Sequence, residues 1–219
     1  MFGSNKHIFW QALVVALVIF WSGILLGVWF EEARIDKSKQ LFYDSETNIF
    51  DIMLQGQILT YNNFSCELIK AESIVFADKV YEEARQLEKY DASNKITEDA
   101  LRLHKRYDLM RTLLWSNLID GQKRCKSDIN TVVYLYQYKE PSVDTQARQA
   151  TMSKVLLDLK KKYTNDIILI PIAYDSEIKS LDYLMVRYNL DKEPTIFINQ
   201  QYKIKELVTL EQLERYLWE

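Results

Sequence analysis

Between residues 131 and 219 the apolar positions switch repeatedly between strand-like and helix-like spacing. Residues 131–138, Thr-Val-Val-Tyr-Leu-Tyr-Gln-Tyr, are β-branched and aromatic, as a buried strand requires. An amphipathic helix is predicted over residues 144–163, then a second strand over residues 166–174. A helix over residues 176–188 follows. Two strands, residues 196–199 and 202–207, are joined by a tight turn, and residues 210–218 form a last helix. The order is β-α-β-α-β-β-α. A parallel crossover followed by a hairpin and a packing helix makes an α/β layer fold. Pro171 interrupts the second strand. Because proline donates no ladder hydrogen bond, that strand is expected at a sheet edge.

Upstream the spacing is helical from residue 34 to about residue 120, with two breaks. Phe42, Ile49, Ile52 and Leu59 form one stripe, and Cys66, Ile69, Phe76, Val80, Ala84 and Leu87 a second. A break falls at residues 61–65. Another, at residues 91–94, precedes Thr97, an N-cap with Glu98 and Asp99 in the first turn. Leu103, Tyr107, Met110, Leu114 and Leu118 form the third stripe. Such narrow seams predict a helical hairpin or short bundle. His104, among basic residues, reads as part of a solvated helix face. The domains expected are therefore residues 1–30 (tail and anchor), 31–124 (helical stalk) and 125–219 (α/β domain).

Residues 8–30, which open on Ile8 and close on Phe30, carry no charge. At about 1.5 Å per residue they span roughly 34 Å, enough for a bilayer core. The apolar run is longer than a signal-peptide core and no A-x-A-like site follows it, so an uncleaved signal anchor is expected. The lipid bilayer is the partner this segment implies. Gly23-x-x-x-Gly27 offers a face for packing against a second copy, a homodimer. Counting only Lys and Arg, Lys6 against Arg34, Lys37 and Lys39, would leave the domain in the cytoplasm. The position of the anchor and the cysteines favour the opposite, with the N-terminus cytoplasmic and the soluble domain extracytoplasmic.

The chain has 219 residues, 48% hydrophobic and 27% charged, with a net charge of −3. That balance excludes wholesale disorder and gives no basic surface for nucleic acid. Lys160, Lys161 and Lys162 end a predicted helix, where they offset its dipole. No Gly-rich phosphate loop, nucleophile elbow or metal-ligand cluster is present, so no catalytic residue, cofactor or metal is expected.

The chain has two cysteines, Cys66 and Cys125. Antiparallel second and third helices would bring them together, allowing a structural disulfide closing about 60 residues. Two unrelated thiols, or a redox-active pair, are the alternatives. A disulfide requires an oxidising compartment. Asn63-Phe64-Ser65 matches the glycosylation sequon and falls in a predicted loop.

The element order, with Glu193-Pro194-Thr195 before the third strand, resembles the thioredoxin fold. The resemblance covers about 89 residues. It implies a cis-proline at Pro194 and a groove in which Glu193 and Thr195 pair with an extended peptide. The family's CxxC would lie on Glu140-Pro141-Ser142-Val143 or on Ser142-Val143-Asp144-Thr145, and neither register holds a cysteine. Taken whole, the chain resembles membrane-anchored thioredoxin-like proteins with a cysteine-bearing helical insert.

The function expected is a non-catalytic, membrane-anchored binding or scaffolding module of the cell envelope, taking a protein or peptide partner. A thiol–disulfide oxidoreductase using Cys66 and Cys125 is one alternative. A helical, membrane-proximal oligomerisation protein is the other.

Overall fold

A computed structural model describes residues 6–61, 64–88, 98–125 and 130–218. Two compact units are present, Met1–Asp51 and Ile52–Glu219. The helix α1 (Lys6–Tyr61) is continuous. Within the first unit, Phe9–Phe30 is long and apolar enough to cross a membrane or to serve as a signal sequence, and none of it is buried.

The second unit contains α2 (Cys66–Glu88), α3 (Glu98–Cys125), β1 (Asn130–Tyr136), α4 (Val143–Tyr163) and β2 (Ile167–Ala173). It continues with α5 (Lys179–Arg187), β3 (Thr195–Ile198), β4 (Tyr202–Ile204) and α6 (Leu210–Trp218). The fold is α/β with a four-stranded mixed sheet in the order β2-β1-β3-β4. β1 and β2 run parallel, with Val132 opposite Leu169. β3 is antiparallel to β1, with Val133 opposite Phe197, and β4 is antiparallel to β3. β2 lies at an edge, where the missing N–H of Pro171 costs no ladder bond.

Alternation along the strands sends side chains to two faces. On one, Val132, Tyr134, Ile196, Ile198 and Ile204 pack with Met152, Leu156 and Leu159 of α4 and Leu213 and Leu217 of α6. The α4 residues are spaced three and four apart, one helical face, each buried side chain stabilising by about 1.5–3 kcal/mol. Ser142 caps α4, its Oγ accepting from the Thr145 N–H at 3.1 Å. At the other end Lys160 donates to the carbonyls of Thr164 and Ile167, at 2.5 and 3.1 Å.

The alternate strand residues Val133, Leu135, Ile168, Ile170 and Phe197 are equally buried on the second face. There Trp115 of α3 meets Phe197 edge-on at 6.1 Å and stacks on Tyr188 at 5.9 Å. Both α2 and α3 pack against β2. The expected stalk helices α2 and α3 thus share one unit with the sheet, and the boundary expected at residues 124/125 does not separate two bodies. The cause is physical. The stripe of Tyr107, Met110, Leu114 and Leu118 is almost fully buried, and the sheet's second face helps cover it.

The helix expected from Ser176 begins instead at Lys179, because residues 174–176 form a turn in which the Asp175 and Ser176 side chains bond elsewhere. The break expected at residues 61–65 separates α1 from α2. Asp91–Asn94 as a break, Thr97 as a cap and Asn63 as a glycosylation site all lie outside the described residues.

Candidate functional site

β1 and β2 end side by side because they are parallel, and the loops leaving their C-terminal ends form the natural place for a site in an open α/β sheet. The β1–α4 loop is fastened from two sides. The Gln149 side chain pairs with both backbone groups of Gln137, accepting from its N–H at 2.6 Å and donating to its carbonyl at 3.0 Å. The Asp175 carboxylate accepts from the N–H groups of Tyr138 and Lys139, at 3.0 and 2.7 Å.

Beneath these loops, α3 contributes a buried polar network. The Asp108 side chain is fully buried. Its carboxylate accepts from Ser176 Oγ at 2.5 Å and from the Ala173 N–H at 3.3 Å. His104 Nδ1 lies 2.9 Å away and Arg111 Nη1 3.4 Å. His104 Nε2 is 2.9 Å from the Tyr136 hydroxyl. The His104 ring stacks on Tyr138, with centroids 3.5 Å apart. Burial, and then the Asp108 charge, push the Tyr136 phenol well above its ordinary range. Burial raises Tyr134 to about 12.

An Asp–His pair beside a serine suggests nucleophilic catalysis, but the geometry does not provide it. A catalytic base must present a free nitrogen to the nucleophile. Here His104 Nε2 faces the Tyr136 hydroxyl, and Ser176 directs its hydroxyl towards Asp108 and the Ala173 carbonyl rather than towards His104. The network ties α3 to β1 and to the β2–α5 loop.

Over it lies a cleft of about 150 Å³, formed by the first turns of α3 and the two loops. Its lining includes His104, Lys105, Tyr138, Lys139 and Glu177. Lys139 Nζ is 2.5 Å from the Glu177 carboxylate. That hydrogen bond, with the charges of Lys139 and Lys105, holds the Glu177 carboxyl below its usual range.

The residues singled out from sequence are distributed around this site. Glu140 and Pro141 lie in the β1–α4 loop, Ser142 is the helix cap, and Val143, Asp144 and Thr145 form the first turn of α4. Pro194 is not cis: among the described residues no peptide bond is. A trans X-Pro bond is the lower-energy isomer, and the surrounding turn accommodates it. The Glu193 N–H donates to the Asp191 carbonyl at 2.9 Å, and its own carbonyl accepts from Thr195 Oγ1 at 3.0 Å. Thr195 is buried and pairs with Leu135. The Glu193 carboxylate is ion-paired with Lys205. The Glu193 N–H and carbonyl are thus engaged internally, and Thr195 lies in the sheet beside Leu135.

Cys66 opens α2 and Cys125 closes α3, with Cα atoms 5.5 Å apart and sulfurs at disulfide distance. Cys125 precedes β1, at the end of the strand opposite the cleft. Seven residues at about 3.3 Å each put roughly 20 Å between the two ends. Among the described residues no group of three His, Cys, Asp or Glu could hold a metal ion.

Reading charge as surface missed His104, Asp108, Arg111 and Ser176. A signal existed: His104, Asp108, Arg111 and Trp115 are spaced four, three and four apart, a second stripe beside the apolar one.

Fold and site together define a class, an α/β module with one long apolar N-terminal helix and a polar cleft over its parallel strand ends. A scan against protein-family models found no match for the chain, and searches of curated proteins and of solved structures found none either.

Proposed function

We propose that the chain is a non-catalytic, membrane-anchored binding or scaffolding module of the cell envelope, with a thioredoxin-like soluble part outside the membrane. The sheet order β2-β1-β3-β4 with β3 antiparallel, together with β-α-β-α-β-β-α connectivity, supports the thioredoxin-like reading. One observation carries the loss of catalysis. Where the family keeps its thiols, at the start of α4, this chain has a serine cap and no cysteine. Thiol–disulfide exchange requires an attacking thiolate, and both cysteines stand together at the other end of β1. Their pairing also supports an oxidising compartment, hence an outward-facing domain anchored by Phe9–Phe30. The binding face is then the cleft over the strand ends rather than the turn at Pro194.

Differential alkylation of Cys66 and Cys125 in intact cells, before and after reduction, tests this reading. The expected result is a fully oxidised pair that reacts only after reduction, in a protein that stays with the membrane on alkaline extraction. Free thiols labelled only after permeabilisation would place the domain in the cytoplasm. Thiols that shift between states with the cell's redox condition would favour an oxidoreductase.

A further inference from the structure

The geometry points to the cleft between the start of α3 and the two strand-end loops as a binding site for an acidic peptide segment, with Glu177 standing in for the ligand's carboxylate. The inference rests on the binding-module reading and names its ligand chemistry.

Charge assignment around the cleft leads there. Asp175 also lines the cleft, but its two carboxylate oxygens are committed to the N–H groups of Tyr138 and Lys139. Glu98 is held by Arg102 at 2.7 Å on the surface of α3. His104 uses one nitrogen toward Asp108 and the other toward Tyr136, so it offers the cleft a ring edge and no free acceptor. What remains is a pair of lysines from different elements, Lys105 of α3 and Lys139 of the β1–α4 loop. Lys139 bonds the Glu177 carboxylate directly, and Lys105 lines the same cleft.

Glu177 is poorly fixed as a structural partner. Its side chain is 74% exposed, and ion pairs so open to water contribute little stability. Its backbone is also left-handed, at φ 58°, and so is that of Glu140 in the β1–α4 loop, at φ 45°. Thr164, Asn189, Asn199 and Gln200 share this region at turns elsewhere in the unit. The buried Asp108 network beneath supplies the rigid support that holds such loops. A glutamate already occupying the two-lysine niche shows which chemistry the niche fits: a glutamate or aspartate side chain from a partner, entering as Glu177 swings out.

The test uses the full chain in detergent micelles and a fluorescently labelled oligoglutamate peptide, read by anisotropy at low salt, with inorganic phosphate as competitor. Glu177→Ala removes the internal competitor and should tighten binding by about two- to fivefold. Lys105→Gln with Lys139→Gln should abolish saturable binding while leaving the thermal melt unchanged. No binding to the wild type or to Glu177→Ala would overturn the inference, as would equal binding by the double lysine variant. Displacement by phosphate at concentrations that leave glutamate peptides competitive would mark a general small-anion site and overturn the peptide assignment. None of these failures alters the alkylation result, so the two readings fail separately.

Discussion

Replacing Asp108 with alanine should be among the most damaging single changes in the α/β unit. The carboxylate is completely buried and faces the Ala173 N–H, the Ser176 hydroxyl, His104 Nδ1 and the Arg111 guanidinium. Truncation takes the acceptor from the Ala173 N–H and the partner from His104 Nδ1, though Ser176 Oγ keeps the Ala173 carbonyl, and the Arg111 side chain, only 13% exposed, loses its buried counter-charge. Removing one partner of a buried ion pair costs about 3–5 kcal/mol, a large part of the 5–15 kcal/mol that typically separates folded from unfolded states. In a unit the size of residues 52–219, each kcal/mol lowers the melting point by about 2–4 °C, so a drop of roughly 6–20 °C is expected. Thermal unfolding of the full chain in detergent, followed by circular dichroism, reads it. Ser176→Ala alone should cost about 1 kcal/mol, since it removes one donor. Added to Asp108→Ala it should cost less than it does alone, because the bond to Asp108 is already gone and only that to the Ala173 carbonyl remains. A loss below about 1 kcal/mol for Asp108→Ala, or strict additivity with Ser176→Ala, would refute the network.

Three further outcomes are expected. Cys66→Ser with Cys125→Ser should destabilise the oxidised protein by about 4 kcal/mol, as expected for a crosslink between residues 59 apart; the melt of the wild type with and without reductant checks it. Burial holds the Tyr134 phenol at about 12 and Tyr136 higher, so both stay neutral in the fold after an unfolded tyrosine has ionised. Stability should therefore be fully present below pH 10 and decline as the pH climbs through 12. Tyrosinate absorbance should show surface residues titrating first and a late phase that coincides with loss of dichroism, whereas a single phase with the fold intact would contradict the burial. Ser142→Ala removes the cap of α4 and should cost about 1 kcal/mol in the same melt.

Much of the fold was legible because its signals are local. Residues 131–138 could bury nothing as a helix face, and Pro171 could sit without penalty only at an edge, where β2 lies. The approach of Cys66 to Cys125 followed from two antiparallel helices, since their ends must meet. What was not legible depended on tertiary partners. The stripe at Tyr107, Met110, Leu114 and Leu118 announces burial but not what covers it, so a bundle and a sheet-docked helix look alike. Asp108 lies beside that stripe, and its charge read as surface because nothing local reveals Ala173 and Ser176, more than sixty residues away. The isomer at Pro194 is set by the turn around Asp191 and Thr195 rather than by the proline itself.

The placement of α3 explains why the cysteines and the cleft need not share chemistry even though one helix carries both. Cys125 closes the helix beside the start of β1, while His104 and Asp108 lie in its first turns beside the end of β1 and β2. From Asp108 to Cys125 the helix advances roughly 25 Å at about 1.5 Å per residue. No thiol at one end can reach a substrate held at the other. What the two ends do share is the helix's position on the sheet. The Cys66–Cys125 pair fixes one end against α2, and the Asp108 network fixes the other against β1 and the β2–α5 loop, with Trp115 packed on Phe197 between them. Lys105 rides on that helix and Lys139 on the loop fastened by Asp175, so their convergence on Glu177 depends on both attachments. Loss of either attachment should therefore weaken oligoglutamate binding even though no residue of the cleft has been changed.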